Sequence, residues 1–275
     1  MDKIAHSMKG VLICGGSGTR LKPLTDVTNK SLLPVYDKPL LLYPLQTLLD
    51  AGIREIMVVS GPEHVDQMAG FLGSGIRFGC AFSYRVQDNP KGIAQALGMA
   101  EEFANGDNVC ALLGDNIYFD PMREAIASFE NGGHVFLKEV SDPERFGVAQ
   151  VHGTRITSIE EKPHNPKSNL AITGCYIYDH RCFEFIHNMK PSARRELEIT
   201  DVSRWYMQQR ELSYTILKDE WIDAGTFESL HRAAIIVRSR KLAHIVQKSL
   251  PNQTSRQKSS PPVKVAPVLR GLPTT

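Results

Sequence analysis

The sequence predicts one α/β domain with a mostly parallel central sheet flanked by helices. Three observations predict it. From Val11 to Phe129, strand-length apolar runs alternate with helix-length amphipathic segments. Those strand runs are apolar almost throughout, as strands covered on both faces must be. The chain has 275 residues, 42% of them hydrophobic, with no internal repeat, which suits a single large core.

Each element follows from its local pattern. Val11–Cys14 is a short apolar run that ends in glycines, and Leu40–Ala51 is an apolar stretch of helix length. Glu55–Ser60 reads as a strand, Glu63–Leu72 as a helix, and Ala81–Val86 as a strand. Ile93–Phe103 predicts one helix, because Ile93, Ala96, Leu97, Ala100 and Phe103 recur at helical spacing with Glu101 and Glu102 outside. Val109–Leu113 is a buried strand. Asp120 then Pro121 read as an N-cap and first helical residue, opening a helix with Met122, Ala125, Ile126 and Phe129 on one face. Beyond residue 133 the pattern loosens. Strands are expected at Val135–Val140, Val148–Val151, Arg155–Ile159, Cys175–Tyr178 and Tyr214–Leu217, and a helix from near Thr200. A smaller lobe inserted around residues 140–220 fits that loosening.

The division expected is an N-terminal extension over 1–8, a domain over 9–247 and a tail over 248–275. From residue 249 on there are four cations (Arg256, Lys258, Lys264, Arg270), no acid, and five of the chain's 16 prolines. Such a basic Pro/Ser-rich stretch has too little apolar surface to offset its chain entropy and is expected to be disordered. Overall, 32 Lys and Arg against 30 Asp and Glu give +2, so bulk charge offers no reason to expect a nucleic-acid or membrane partner. The longest uncharged apolar run, Pro39–Leu49, has 11 residues and an internal proline, too short to span a bilayer. Five cysteines without a CxxC pair read as buried small hydrophobes, and no secretory core precedes them; a cytoplasmic protein is expected.

In open α/β sheets, ligands bind beyond the carboxyl ends of the strands. The first such loop is Gly15-Gly16-Ser17-Gly18-Thr19-Arg20-Leu21. Its glycines let backbone amides face an anion, and Arg20 can grip phosphate oxygens. It is not a Walker A loop, and Leu21 stands where a dinucleotide fingerprint needs its third glycine. Lys30, before an apolar turn, is a second candidate phosphate cation. Asp115 leaves a buried strand in Leu113-Gly114-Asp115-Asn116, and Asp223 sits in Trp221-Ile222-Asp223-Ala224-Gly225-Thr226. Two carboxylates at strand ends can converge on one Mg²⁺ that takes its other ligands from water and phosphate.

The segments GGSGTRLKPLT and NKSLLPVYDKPLLLYPLQTLLDAGI resemble the N-terminal signature of the sugar-1-phosphate nucleotidylyltransferases, closest to the glucose-1-phosphate thymidylyltransferases. The likeness runs from about Lys9 to about His231. It implies a Rossmann-like nucleotidyltransferase fold with a smaller sugar-binding lobe, and direct transfer between dTTP and glucose 1-phosphate. It also implies that Asp115 and Asp223 hold the Mg²⁺, while Arg20, Lys30 and Lys162 are catalytic. Gly15, Gly16, Gly18, Thr19, Arg20 and Lys30 would bind the nucleotide's phosphates. Gln87-Asp-Asn-Pro90-Lys-Gly92 resembles the family's base-binding segment, so Gln87 would pair with the base edge and Gly92 allow its close approach. Pro143-Glu144-Arg145-Phe146-Gly147-Val148 and Glu160-Glu161-Lys162-Pro163 resemble its sugar-side motifs, with Phe146 for Tyr. They imply sugar and sugar-phosphate contacts from Gly147, Glu161 and Lys162, and a backbone contact from Ile172. The family's Ser-Lys-Gln-Leu-Leu-Pro is Asn29-Lys30-Ser31-Leu32-Leu33-Pro34 here, which leaves UTP- or CTP-dependent transfer, or another sugar 1-phosphate, as alternatives. A homo-oligomer is compatible with the sequence, but the longer relatives' helical extension is not matched.

Overall fold

A computed structural model describes residues 7–16 and 18–249, with side chains up to residue 242. Residues 1–6 and the tail from 250 lie outside the described residues. By compactness the chain divides into two units, Met1–Val237 and Arg238–Thr275.

The first unit is built on a mixed sheet. Strand β1 (Met8–Ile13) lies at its centre. Two short strands, β2 (Pro34–Val35) and β3 (Lys38–Pro39), form a separate ribbon before helix α1 (Leu42–Asp50). Then come β4 (Glu55–Ser60), α2 (Val65–Leu72), β5 (Ala81–Val86), α3 (Ile93–Gly98), α4 (Glu101–Ala104) and β6 (Asn108–Leu113). Strands β5, β4, β1 and β6 run parallel in that order. The side chains of β1, β4 and β6 alternate between two cores. Val11, Ile13, Met57 and Val59 enter one, with α3 and the later helices. Leu12, Cys14, Ile56 and Val58 enter the other, with Leu45 of α1 and Met68 of α2.

Beyond β6 the order becomes antiparallel. A short β7 (Asn116–Tyr118) and α5 (Arg123–Ala127) precede β8 (Gly133–Glu139), β9 (Gly147–His152), β10 (Arg155–Glu161) and β11 (Leu170–Tyr178). Strand β11 pairs with β6, β8 and β9, and the β9–β10 hairpin forms the outer lobe. Helices α6 (Arg181–His187) and α7 (Ile199–Gln208) follow, then β12 (Leu212–Ile216), β13 (Trp221–Asp223) and α8 (Phe227–Ser249). Strand β12 adds to β8 in parallel, while β13 pairs with β7 apart from the main sheet.

Two expected elements differ. The helix expected over Ile93–Phe103 is two helices, because Gly98 lies against α6, where a Cβ would come 2.9 Å from Ile186, and Ala100 bonds back to Leu97. Asp120 caps no helix. Its carboxylate accepts from the backbone N–H groups of Lys218 and Asp219, at 3.0 and 2.8 Å, and α5 starts only at Arg123. A long-range partner has displaced a local cap.

All five cysteines are free; Cys110 and Cys175 sit 4.0 Å apart on adjacent strands. Among the described residues no helix is long and apolar enough to cross a membrane.

His134, on β8, is buried between the hydroxyls of Ser213 (2.8 Å) and Thr215 (3.0 Å). Burial pushes its imidazole down to about 4 from an ordinary 6.5. Below 6.5 the unfolded chain takes up a proton that the folded chain refuses, so folding stability falls as pH drops from 6.5 to 4. The loss is about 3 kcal/mol at the bottom of that window. A His134→Gln variant in urea melts at pH 7 and pH 4.5 should show a flatter decline than wild type; equal slopes contradict the assignment.

Candidate active site

One cavity of about 720 Å³ opens at the carboxyl ends of β1, β5 and β6. It collects every residue the sequence singled out except Gly18. Gly18 serves the loop instead. Its φ of +59° and a Cβ position 2.7 Å from Thr25 demand glycine, and its carbonyl accepts from Thr25.

The cavity floor carries charge. Asp115 leaves β6 and is buried; Asn116 donates to its Oδ1 at 2.9 Å, and Trp221 Nε1 donates to Asn116 at 2.7 Å. Asp223 lies opposite Asn116 in the β7–β13 register, so this small ribbon brings the two aspartates together. Lys30 donates from its ammonium to Asp115 Oδ2. Its short 3-10 turn is fixed by Asn29, whose amide donates to the Cys14 carbonyl (2.9 Å) and whose carbonyl accepts from Ser31 N–H (2.8 Å). Ser31 is fully buried beside Gly114, away from the cavity lining.

The charges shift one another. For Lys30, burial favours the neutral amine, but Asp115 outweighs it and holds the group above its ordinary range. Asp115 is likewise kept ionised: burial raises it, and Lys30 and Asn116 more than reverse that. Asp223 has a looser partner, Arg145 at 3.6 Å from its Oδ2. Burial first, and then the Asp115 charge, push it up to about 6. Two hard carboxylates crowded together in this way suit a divalent ion, which would remove their repulsion. Among the described residues no third Asp, Glu, His or Cys joins them.

Arg20 approaches the same floor from the glycine loop. A Cβ on Gly225 would lie 2.9 Å from Arg20 and 3.1 Å from Asp223 Oδ1, so a bare glycine lets both converge. Gly15 and Gly16 line the wall, Gly16 with φ +90°.

At one end, buried Gln87 follows β5. Its amide nitrogen donates to Gln95 Oε1 at 2.8 Å, and its Oε1 lies 2.8 Å from the Cβ position of Gly15. Gly92 has φ +106°, and a Cβ there would sit 2.4 Å from the Leu197 carbonyl oxygen. The glycine requirement at 92 therefore comes from the chain's own backbone as well as from any ligand. Gly92→Ala is expected to cost about 2–4 kcal/mol of stability by strain and overlap; a melting point within about 1 °C of wild type contradicts this.

At the other end, Gly147 and Glu161 are cross-strand partners in the β9–β10 hairpin. Lys162 follows with φ +44°, a left-handed conformation for a non-glycine residue, held by its N–H to the Phe146 carbonyl at 2.9 Å. Its ammonium is 3.8 Å from Glu161 and half exposed to the cavity. Ile172 lines the wall where β11 slips register between Ile172 and Tyr176.

Sequence reasoning missed several lining residues. Arg145 lies 3.6 Å from Asp223 Oδ2 and binds Asp142 at 2.5 Å. Arg194 pairs with Glu161 (3.1 Å), Glu196 (3.5 Å) and Glu198 (2.7 Å). Arg145 stood inside a motif quoted for its glycine, while Arg194 sits in a charge run with no spacing signal.

A strand-end cavity with a glycine loop, five lining cations and paired aspartates suits the handling of two phosphate-bearing ligands. The chain belongs to the nucleotidyl transferase family, whose profile matches residues 9–240. Enzymes named glucose-1-phosphate thymidylyltransferase are among its relatives. The one from Neisseria meningitidis is 49% identical over 240 residues, 84% of this chain and 83% of that protein. The one from Mycolicibacterium smegmatis is 40% identical over 252 residues, 90% and 88% of the two chains. A solved structure of a provisionally so named Bacillus anthracis protein, bound to sucrose, superposes with a TM-score of 0.81 at 47% identity, covering 84% of this chain and 96% of that one. A UDP-glucose pyrophosphorylase holding UDP-glucose has a TM-score of 0.76 at 25% identity, covering 85% and 100%. Membership in this family implies a divalent metal.

Proposed function

We propose that the protein is an Mg²⁺-dependent glucose-1-phosphate thymidylyltransferase. A phosphate oxygen of α-D-glucose 1-phosphate attacks the α-phosphorus of dTTP in line. The bond from that phosphorus to the bridging oxygen breaks, and pyrophosphate leaves with the electron pair. The products are dTDP-glucose and pyrophosphate. The observation that carries this reading is the single cavity in which Arg20, Lys30 and Lys162 face the paired Asp115 and Asp223.

A phosphate monoester is already a sufficient nucleophile, so no covalent protein intermediate is needed. The work left to the protein is to hold two polyanions against their own repulsion. Arg20, the Gly15–Gly16 wall and Lys30 take the leaving pyrophosphate. Lys162 takes the attacking phosphate, while Glu161 and the Gly147 backbone orient the sugar hydroxyls. Gln87 offers its amide to the O4 and N3–H edge of the pyrimidine. Asp115 and Asp223 would hold the Mg²⁺, which would supply positive charge to neutralise the phosphates. The five free thiols support a reducing, cytoplasmic setting.

The test is a pyrophosphate-release matrix of four nucleoside triphosphates against several hexose 1-phosphates, with Mg²⁺ or EDTA. Release is expected to be fastest with dTTP and glucose 1-phosphate, to vanish in EDTA and to return with Mg²⁺. Release with UTP and none with dTTP would transfer the protein to the uridylyl class. None with any pair would overturn the reading.

A further inference from the structure

Resting on that reading, we propose that Lys30 is the resident counter-ion of the paired aspartates in the free protein. It is released to the phosphates only when a metal-bearing nucleotide arrives. The divalent ion and the Lys30 ammonium are then alternative occupants of one post, and the free protein binds the metal poorly on its own.

Three observations carry this. The Lys30 ammonium donates directly to Asp115 Oδ2, a carboxylate oxygen that a metal would need. Asp223 is engaged from its other side by Arg145, 3.6 Å from Oδ2, with Arg20 converging near its Oδ1 across Gly225. Two carboxylates thus already face three cations, and a free divalent ion would enter a floor that is electrostatically compensated. A triphosphate changes the balance by bringing several negative charges that give Lys30, Arg20 and Arg145 new partners.

The ammonium also has somewhere to go. The Cβ position of Gly16 is only 3.9 Å from Lys30 Nζ, so the nitrogen borders the glycine wall where phosphates are expected. The move needs no backbone change, because Asn29 fixes the turn through the Cys14 carbonyl and the Ser31 N–H. Rotation of the lysine side chain suffices. Metal and nucleotide binding are coupled in consequence, each improving the other's affinity by the same factor.

The experiment is a titration with Mn²⁺, followed by the electron paramagnetic resonance signal of the free ion, without nucleotide and with dTTP. Wild type, Lys30→Met and Lys30→Met/Asp115→Asn are compared, with Lys30→Gln as a second replacement and thermal melts to verify folding. Without nucleotide, Lys30→Met and Lys30→Gln are expected to bind Mn²⁺ at least tenfold tighter than wild type. The gain should disappear in the double variant. In wild type, dTTP should produce a gain of similar size beyond the Mn²⁺ that the same dTTP takes up without protein. A Lys30 variant that is folded and binds Mn²⁺ no tighter than wild type overturns the proposal, and so does a gain that survives Asp115→Asn. Failure of the catalytic reading is seen separately, as absence of pyrophosphate release by wild type, and leaves the nucleotide-free titration to judge Lys30.

Discussion

Lys162→Ala is expected to lower kcat/KM for glucose 1-phosphate by about 10²–10³, or about 3–4 kcal/mol of transition-state stabilisation. Lys162 follows the β9–β10 hairpin, and its ammonium stands 3.8 Å from the Glu161 carboxylate, beyond hydrogen-bond distance. Its backbone is held at φ +44° by the Phe146 carbonyl, and alanine there pays the same conformational cost as lysine. The melting temperature should therefore stay close to that of wild type while activity collapses. That separation is the point of the experiment. A charge that only decorates the surface contributes about 0–1 kcal/mol and would leave turnover nearly unchanged. Turnover within about threefold of wild type contradicts a role for Lys162 at the attacking phosphate.

Asp115→Asn should be as severe for turnover, about 10²–10³, and should also be felt in the fold. The carboxylate is buried and accepts from Lys30 and Asn116. Asparagine is the same size but carries no charge, so Lys30 loses the partner that holds it charged in a buried place. A stability loss of about 1–3 kcal/mol is expected with the activity loss. Pyrophosphate release measured from low to high Mg²⁺ should not recover at the top of the range. Full recovery at high Mg²⁺ would show that Asp115 sets only affinity, and near-normal turnover throughout would remove it from the machinery.

The parallel half of the sheet was readable because β1, β4 and β6 carry apolar side chains on both faces, and β5 puts Phe82 and Tyr84 into one core. The antiparallel half was less so. Strands β10 and β12 keep one wetter face, and β7 and β13, three residues each, are too short for any periodicity. Yet that small ribbon brings Asp115 beside Asp223, so their convergence was an expectation from the resemblance before it was a geometry. Asp120 shows the opposite failure. Asp-Pro before an apolar face is a sound local helix start, but two amides 98 and 99 residues away took the carboxylate. Within the site, glycines and motif lysines were legible. Arg145 and Arg194 were not, because an arginine in a charged run looks the same in sequence whether it faces water or a carboxylate across a cavity.

The decisive measurement is a crystal structure of the protein grown with Mg²⁺ and dTDP-glucose. An ion is expected between Asp115 and Asp223. Lys162 and Arg20 should lie within hydrogen-bond distance of the diphosphate, with Lys30 turned from Asp115 toward the glycine wall. Lysines and arginine facing bulk water, with no ion at the two aspartates, would contradict it.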